Sequence, residues 1–414
     1  MQTYLLDLTL ESPLSVSRGR SASNRQATTT VVPPQTLRGA LAAATERAGM
    51  GGEARDRLFG TEGLRTSALV PTGPAANGCL PAVAPLTLRT CKRNGGFRAD
   101  TARQEEAPHG AEDALFASLR LALQDEMDGL QSLRTCHAPD CGHVMTPTGG
   151  LVRAGEDGYE TQPLPGKRTQ THVGLDRRRD GAAGGMLYAR EVVNEKTSAG
   201  DGEGLRDTTY RAAITGSDAH LDQLTDALRQ VGEVRVGTAL SRGLGRCRVD
   251  ALEPRTEDTA VEERVRGFND ALAVRGLDPD GVLIALTLRT PALFVDAFLR
   301  PEPSPEGSQL LQASRPAEAA HAEALAGLDP VHEVARRYQF QAWNGLAGLP
   351  HATDQGLRAG SVLVYRAPAL TDELTAALTH IEDTGVGLRR ELGLGRVRVC
   401  DRLHTDVHEH TSRN

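Results

Sequence analysis

The segment Leu5-Leu-Asp-Leu-Thr-Leu-Glu-Ser-Pro13 is matched at five of nine positions by Leu283-Ile-Ala-Leu-Thr-Leu-Arg-Thr-Pro291. Ser241-Arg-Gly-Leu-Gly-Arg-Cys-Arg-Val249 is matched at six of nine by Glu391-Leu-Gly-Leu-Gly-Arg-Val-Arg-Val399, and Gly237 and Gly387 precede that second pair at the same offset. Each half of the chain opens with one pattern and closes with another, the mark of a duplication. In the opening segment Leu6, Leu8 and Leu10 fall on one face and Asp7, Thr9 and Glu11 on the other, which predicts a strand covered on one side. Pro13 and Pro291 then stop sheet pairing. Ahead of the closing patterns, Leu221, Leu224, Leu228 and Val231 form a helical stripe behind a Ser217/Asp218 cap, and Leu374, Leu378 and Ile381 form another behind Thr371. Just upstream of the second helix, Ser361-Val-Leu-Val-Tyr365 reads as a strand. Strand, helix, glycine loop and strand, twice over, predict an α+β fold of two tandem ferredoxin-like (RRM-like) domains.

The first half is much longer than the second, so it carries insertions, expected at about 78–165 and at 195–208, where Gly, Pro and Asp are dense. The expected domains are residues 1–250 and 280–403, joined by a polar linker at 251–279 and followed by a tail at 404–414, with a loop at 301–330 inside the second. A length of 414 residues suits two or three domains, and 39% apolar with 24% charged residues is a globular composition. No run approaches the ~20 apolar residues of a membrane helix. The first residues lack a basic segment and carry acids among the apolar positions, so the expected location is cytoplasmic. Six cysteines in so long a chain do not make a disulfide scaffold. The net charge of −7 counts against a free-standing, non-specific nucleic-acid binder. Lysine occurs only at 92, 167 and 196, so the positive charge is almost all arginine. Arginine's planar fork suits phosphates and base edges, although a GC-rich genome gives the same bias.

Gly-Leu-Gly-Arg is not a dinucleotide fingerprint or a phosphate-binding loop of the Walker type. Those need their glycines after a strand and before a helix, whereas here the helix comes first, and the third glycine and the lysine are missing. Two readings remain open. The glycines supply positive φ in structural turns, or they let bare backbone amides approach a phosphate, with Arg242, Gly243, Gly245 and Arg246 in the first copy and Arg389, Arg390, Gly393, Gly395 and Arg396 in the second as contacts.

The strand ending in Ser-Pro, the segment Thr36-Leu-Arg-Gly-Ala40, the late Gly-Leu-Gly-Arg loop and a tandem second copy together resemble the RAMP superfamily of CRISPR RNA proteins. Within it the chain looks most like the large tandem subunit of type III-D effector complexes, the Csx-ten group, equivalent to the Cas-five subunit elsewhere. Leu58-Phe-Gly60 with Leu64-Arg-Thr-Ser67, and Ala342-Trp-Asn-Gly-Leu-Ala-Gly-Leu-Pro350 leading to Ala359-Gly-Ser-Val362, extend the similarity over most of the chain. The resemblance implies two RAMP domains. It also implies a subunit that holds the 5′ repeat-derived handle of a guide RNA (crRNA) and abuts the large signalling subunit and the backbone RAMP subunits, meeting target RNA only indirectly.

Cys91, His109, Cys136 and Cys141 all fall in the first insertion. Clustered thiols in a reducing compartment are more often metal ligands than disulfides, and zinc takes four N or S donors in a tetrahedron. A helical stripe of Leu115, Phe116, Leu119, Leu123 and Met127 would bring Cys91 and His109 to the Cys136–Cys141 knuckle. The site would then be a structural Zn²⁺ centre with no open position. Similar subunits show the same order of ligands. Cys79, His137 and His143 compete for ligand places, and unrelated surface thiols are the plainer alternative. His321-Ala-Glu323 lacks the Pro-Cys-x-x-Cys partner of a deaminase. Cys247 and Cys400 are expected to be buried small hydrophobes.

Further contacts are expected from Arg177, Arg178 and Arg179, in a basic loop between His172-Val-Gly-Leu-Asp176 and Gly184-Gly-Met-Leu-Tyr188, and from Arg18 and Arg20 after the first strand. A solvated turn and a disordered loop are the plainer readings. Arg38 opens an Ala-rich helix against the helix dipole, a conflict that a bound phosphate would relieve. Trp343, the one tryptophan, is expected in the core, and with 3% aromatic residues a base-stacking sheet surface is not expected. His404, His408 and His410 are assigned to a disordered tail. RNA processing by a RAMP protein would need a histidine early in the first domain, and the first here is His109. The chain is therefore expected to be non-catalytic, with Asp176 the residue of an alternative reading as a target-slicing backbone subunit.

Overall fold

The computed structural model describes the 414-residue chain apart from residues 18–23, 74–78, 98–108, 125–133, 137, 139–140, 156–157, 177, 179–180, 199–203, 256–258, 313–315, 342, 345–348, 351 and 408–414. The chain divides into two compact units, Met1–Leu80 with Pro163–Thr256, and Pro81–Gln162 with Glu257–Asn414.

In the first unit the strands Glu233–Arg235, Arg246–Pro254, Gln2–Leu10, Thr209–Gly216 and Arg65–Thr66 lie side by side in that order, with Val70–Thr72 also paired to Thr209–Gly216. Gln2–Leu10 is antiparallel to both its neighbours, Leu6 facing Ala212 on one side and Leu252 on the other. This is the strand order 4-1-3-2 of a ferredoxin-like βαββαβ unit. Leu6, Leu8 and Leu10 are buried with Leu37 and Leu41 of the helix Pro34–Arg47 and Leu221, Leu224 and Leu228 of the helix Asp218–Val231. Asp7, on the opposite face, receives a bidentate pair from Arg211 at 2.6 and 2.8 Å. The second helix begins where expected, with Ser217 Oγ accepting from the His220 N–H, and ends at Gly232 in the left-handed region.

The second unit repeats the order, Asp329–Val334, Val362–Ala367, Val282–Leu288 and Val397–Val399. Its central strand differs in one respect. Every residue from Leu283 to Leu288 is buried, because the sheet carries apolar partners on both faces. One cover is the helix Asp372–Thr384, capped by Thr371. The others include the helices Val261–Val274 and Leu115–Gln124, whose Phe268 and Phe116 rings stack at 5.3 Å within the same core.

Four expectations change here. The inserted residues 81–162 fold with the second unit, since Leu115, Phe116 and Leu119 are buried among that unit's strands. The stretch 251–279 is not a plain linker, because it completes the strand Arg246–Pro254 and then forms the helix Val261–Val274. Residues 301–330 hold two short 3-10 turns and the helix Ala319–Ala326 rather than a loop alone. The tail begins later than 404. Leu403 and Val407 are buried, and His404 lies wholly out of solvent, its Nδ1 2.6 Å from Asp113 Oδ2 and its Nε2 2.8 Å from Thr287 Oγ1. Burial works against charge on His404, but the Asp113 carboxylate more than offsets it and raises the imidazole's pKa.

Candidate functional site

The two glycine loops are built by one set of backbone hydrogen bonds. In the first, the Val236 N–H donates to the Gly245 carbonyl at 2.8 Å, the Gly245 N–H to the Pro13 carbonyl at 2.9 Å, and the Arg246 N–H to Ser12 Oγ at 2.8 Å. In the second, Val386 donates to Gly395 at 2.8 Å, Gly395 to Pro291 at 2.8 Å, and Arg396 to Thr290 Oγ1 at 2.9 Å. Each loop enters through a non-glycine residue in the left-handed region, Ala239 at φ +58° or Arg389 at φ +56°, and then makes one 3-10 turn. Gly245 and Gly395 have no alternative residue. A Cβ on Gly245 would stand 2.0 Å from the Val236 carbonyl oxygen, and one on Gly395 1.9 Å from that of Val386. The glycines therefore satisfy the structural reading, and the remaining question is what each loop leaves exposed.

They differ on that point. Ser241, Arg242, Gly243 and Arg246 of the first loop are exposed. Arg246 pairs with Glu11 at 3.0 Å while staying half in solvent. The Arg242 guanidinium donates to the Tyr188 hydroxyl and lies 5.7 Å from the centre of its ring. In the second loop no residue from Val386 to Arg396 is exposed. Arg390 is buried in a bidentate pair with Glu318 at 2.9 and 2.8 Å, and Arg389 pairs with Asp354 at 2.7 Å near the Phe340 ring. Of the expected contacts, Arg390, Gly393 and Gly395 are thus buried, while Arg389, 32% exposed in its pair with Asp354, and Arg396 stay half-buried.

The remaining arginines separate as well. Arg38 is half-buried and donates to the Phe59 carbonyl, which ties its helix to the end of the helix Gly52–Phe59. Arg178 is exposed at the turn of a long hairpin, Lys167–Asp176 with Gly181–Val193. Arg18, Arg20, Arg177 and Arg179 lie outside the described residues, as do His408 and His410. Asp176 ends the outgoing hairpin strand, paired with Gly181, and Trp343 falls in the short strand Trp343–Asn344.

The hairpin adds two residues that sequence reasoning missed. His172 and Tyr188 face each other across its strands, and their rings stack at 5.0 Å with 18° between planes. No spacing in the sequence marks them as partners of Arg242, since the three come together only when the hairpin and the loop fold.

In the second unit Cys91, His109, Cys136 and Cys141 bring their donor atoms within 4.8 Å of one another. Pairing of Leu88–Cys91 with Met145–Pro147 sets Cys91 opposite Met145, and the Cys136 N–H donates to the His143 carbonyl at 2.7 Å, which closes the knuckle. Cys91 Sγ and Cys141 Sγ are 3.7 Å apart, against about 3.8 Å for two thiolates on a tetrahedral ion at about 2.3 Å. His109 Nδ1 lies 3.1 Å from Cys136 Sγ, and the Asn94 side-chain amide sits 2.6 Å from Nε2, where it orients the ring. Burial disfavours charge on Cys91, but the Asn94 and Arg93 backbone N–H groups and the neighbouring thiols more than offset it and lower its pKa. The Cys136 thiol is pushed up to about 12 by burial, and the nearby Cys141 and Cys91 sulfurs add to the rise. Three sulfurs and one imidazole, buried except for the half-buried Cys141, have the donors and spacing to hold a metal ion. His143 is not part of it and instead lies 3.3 Å from Arg93, while Cys79 falls in the first unit and His137 outside the described residues. Cys247 and Cys400 are buried, as expected, with thiols that burial pushes up to about 12.

No helix among the described residues is long and apolar enough to cross a membrane. Among solved structures, a chain of a type III-B Cmr-beta complex bound to cognate target RNA and AMPPnP is 10% identical with a TM-score of 0.40, over 91% of this chain and 88% of its own. A RAMP protein described as binding different RNA substrates is 7% identical with a TM-score of 0.35, over 97% and 100%. A Cas6 product complex is 21% identical with a TM-score of 0.30, over 48% and 79%. No curated protein matches the sequence. The model of the RAMP superfamily matches residues 7–248, more than half of the chain, running from the opening strand through the first glycine loop into the closing strand. The chain belongs to the RAMP superfamily.

Proposed function

We propose that this chain is a non-catalytic subunit of a type III CRISPR RNA-guided effector complex that binds and caps the 5′ repeat-derived handle of the crRNA. The observation that carries the reading is the open first glycine loop, where Arg242, Gly243 and Arg246 are exposed beside a hairpin with a basic turn. Guanidinium forks are phosphate ligands, and they carry the reading here, because the N–H groups of Arg242, Gly243, Gly245 and Arg246 already donate within the unit. The tandem architecture and the Csx-ten-like segments favour the type III-D subunit, with the large signalling subunit and backbone RAMP subunits as neighbours. His109 faces the sulfur cluster rather than an RNA surface, which supports a role other than RNA processing. Zinc suits the Cys₃His donor set, and four protein ligands leave no open position, so its role is structural.

The test is to co-express the chain with its genomic neighbours, purify through a tag on this chain, and sequence the co-purifying RNA from its 5′ ends. A uniform repeat-derived handle that diminishes when Arg242 and Arg246 are replaced by Ala is expected. Heterogeneous or absent RNA in an intact complex would overturn the reading. Cleavage of target RNA at fixed positions that disappears in Asp176→Ala would replace it with the slicing-subunit alternative. Because the chain carries net negative charge, the isolated subunit should bind RNA weakly, with a salt dependence set by a few phosphates.

A further inference from the structure

We infer that the turn at residues 296–300 of the second unit is a docking knob, whose Phe298 and Leu299 side chains enter an apolar pocket on a neighbouring protein subunit. This adds a protein contact to the RNA-binding reading and stands apart from it. Phe298 and Leu299 are 78% and 79% exposed, side by side in a turn closed by the pairing of Val295 with Pro301. Scattered exposed apolar residues are ordinary, but these two are held in place. The Asp296 carboxylate accepts from the Phe298 N–H at 2.8 Å, the Arg300 N–H at 2.9 Å and the Arg300 guanidinium at 2.7 Å. At the base of the turn the Val295 N–H donates to Gln312 Oε1 at 3.0 Å, and the Gln309 side-chain amide donates to the Val295 carbonyl at 3.2 Å. Leu299 lies in the left-handed region at φ +62°, where glycine is the unstrained choice. A leucine there costs conformational energy and returns little burial within the chain, so its side chain has its use outside the chain.

The charges around the turn favour protein over RNA. From 296 to 306 three acids, Asp296, Glu302 and Glu306, stand against one arginine, and Arg300 is already engaged by Asp296 and by the Phe298 ring at 5.1 Å. The first copy supplies the contrast. The Thr238 N–H donates to the Ser15 carbonyl at 2.8 Å and the Leu388 N–H to the Leu293 carbonyl at 2.8 Å, so the two copies stay in register past their first strands. Three residues further on, the sequence reads Arg18-Gly-Arg20 in the first copy and Asp296-Ala-Phe298 in the second. The same place in the repeat is basic once, which suits a phosphate, and acidic and apolar once, which suits an apolar pocket with a basic rim. An aromatic and a leucine on a turn that is already ordered lose little freedom on docking.

The experiment uses the complex purified through a tag on this chain after co-expression with its genomic neighbours. A photo-crosslinking benzophenone amino acid is placed at position 298, and retention of each subunit is measured for wild type, Phe298→Ser and Leu299→Gly. The crosslink should fall on one protein subunit, and both substitutions should weaken retention of that subunit by roughly tenfold or more while the handle RNA stays. Leu299→Gly should not lower the melting temperature of the full chain, since glycine accepts the left-handed region, and this controls for misfolding of the turn. A crosslink to RNA or to a second copy of this chain, no crosslink in an intact complex, or unchanged retention in both variants would overturn the knob and leave the RNA-binding reading intact. A crosslinked protein subunit in a complex without handle RNA would keep the knob and remove that reading. A chain that purifies alone would remove both.

Discussion

In the loop Gly237–Arg246 the residues Ser241, Arg242, Gly243 and Arg246 reach solvent, whereas in the loop Gly387–Arg396, closed by the same hydrogen bonds, no residue is exposed. The backbone device is conserved between the copies because it is enforced locally. Two glycines accept positive φ, and two carbonyls, those of Val236 and Val386, leave no space for a Cβ. What stands over each loop is set by residues that the two copies do not share. Glu11 meets Arg246 in an exposed pair, while Glu318 holds Arg390 in a buried, bidentate one. A carboxylate in that geometry offers the two oxygens that a phosphate would otherwise present. The second loop thus repeats the backbone of the first with its buried arginine held by the protein's own carboxylate, and the two copies differ in what they expose.

The largest effect expected from separating the two units concerns the Cys91, His109, Cys136 and Cys141 cluster, proposed to hold a metal ion, which belongs to the second. Chelation, or Cys136→Ser, should remove a large share of local stability, since structural metal sites in small domains contribute on the order of 10 kcal/mol. Hydrogen exchange should report lost protection at Leu88–Cys91 and Met145–Pro147, with Gln2–Leu10 of the first unit unchanged. Equal protection with and without metal would show that the cluster does not hold the fold.

Next in size is the contrast between the two carboxylates. Glu318→Ala leaves the Arg390 charge buried without its partner and should cost about 3–5 kcal/mol in urea unfolding. Glu11→Ala should cost less than about 1 kcal/mol and should tighten RNA binding by freeing Arg246. Similar costs for the two would mean that the loops are not differently occupied.

The glycines probe what the loops share. Gly245→Ala and Gly395→Ala should each destabilise by about 2–3 kcal/mol, by forcing an L-residue into the left-handed region against a carbonyl. A difference of more than about 1 kcal/mol between them would break the equivalence of the two backbones.

The smallest effect lies at the C-terminal turn of the second unit. His404 is surrounded by Asp113, Asp401, Arg289 and the Thr287 hydroxyl. Its pKa is raised above the unfolded value, so the native state binds the proton more tightly than the unfolded chain does. That contribution is fully present below about pH 6.5, and it is lost as pH rises through the folded-state pKa. Thermal unfolding of wild type should therefore lose stability relative to His404→Gln as the pH is raised above neutrality, with no matching change in RNA binding.

Much of the site was legible along the chain. Ser217 and Thr371 cap the helices they precede, and Cys91, His109, Cys136 and Cys141 assemble as one cluster. Caps act over three residues and ligand chemistry follows from residue type, so both leave a local trace. His404 did not. Its polar neighbours in sequence suggest a disordered end, yet its partner Asp113 lies 291 residues away and the pair is fully buried. The insertion misled for the same reason. Leu115, Phe116 and Leu119 give a helical stripe, but a stripe does not say which sheet it covers.

The sequence by itself determined the duplicated motifs, the glycines that close the two loops and the donor types of the Cys91, His109, Cys136 and Cys141 cluster, because each is written in residue type and spacing along the chain. Only the tertiary structure decided that residues 81–162 fold with the second unit, that Glu318 holds Arg390 of the second loop, and that Arg242 of the first meets Tyr188. These are contacts between segments far apart in the chain, and which of them form depends on how the whole apolar surface is buried rather than on any short stretch of residues.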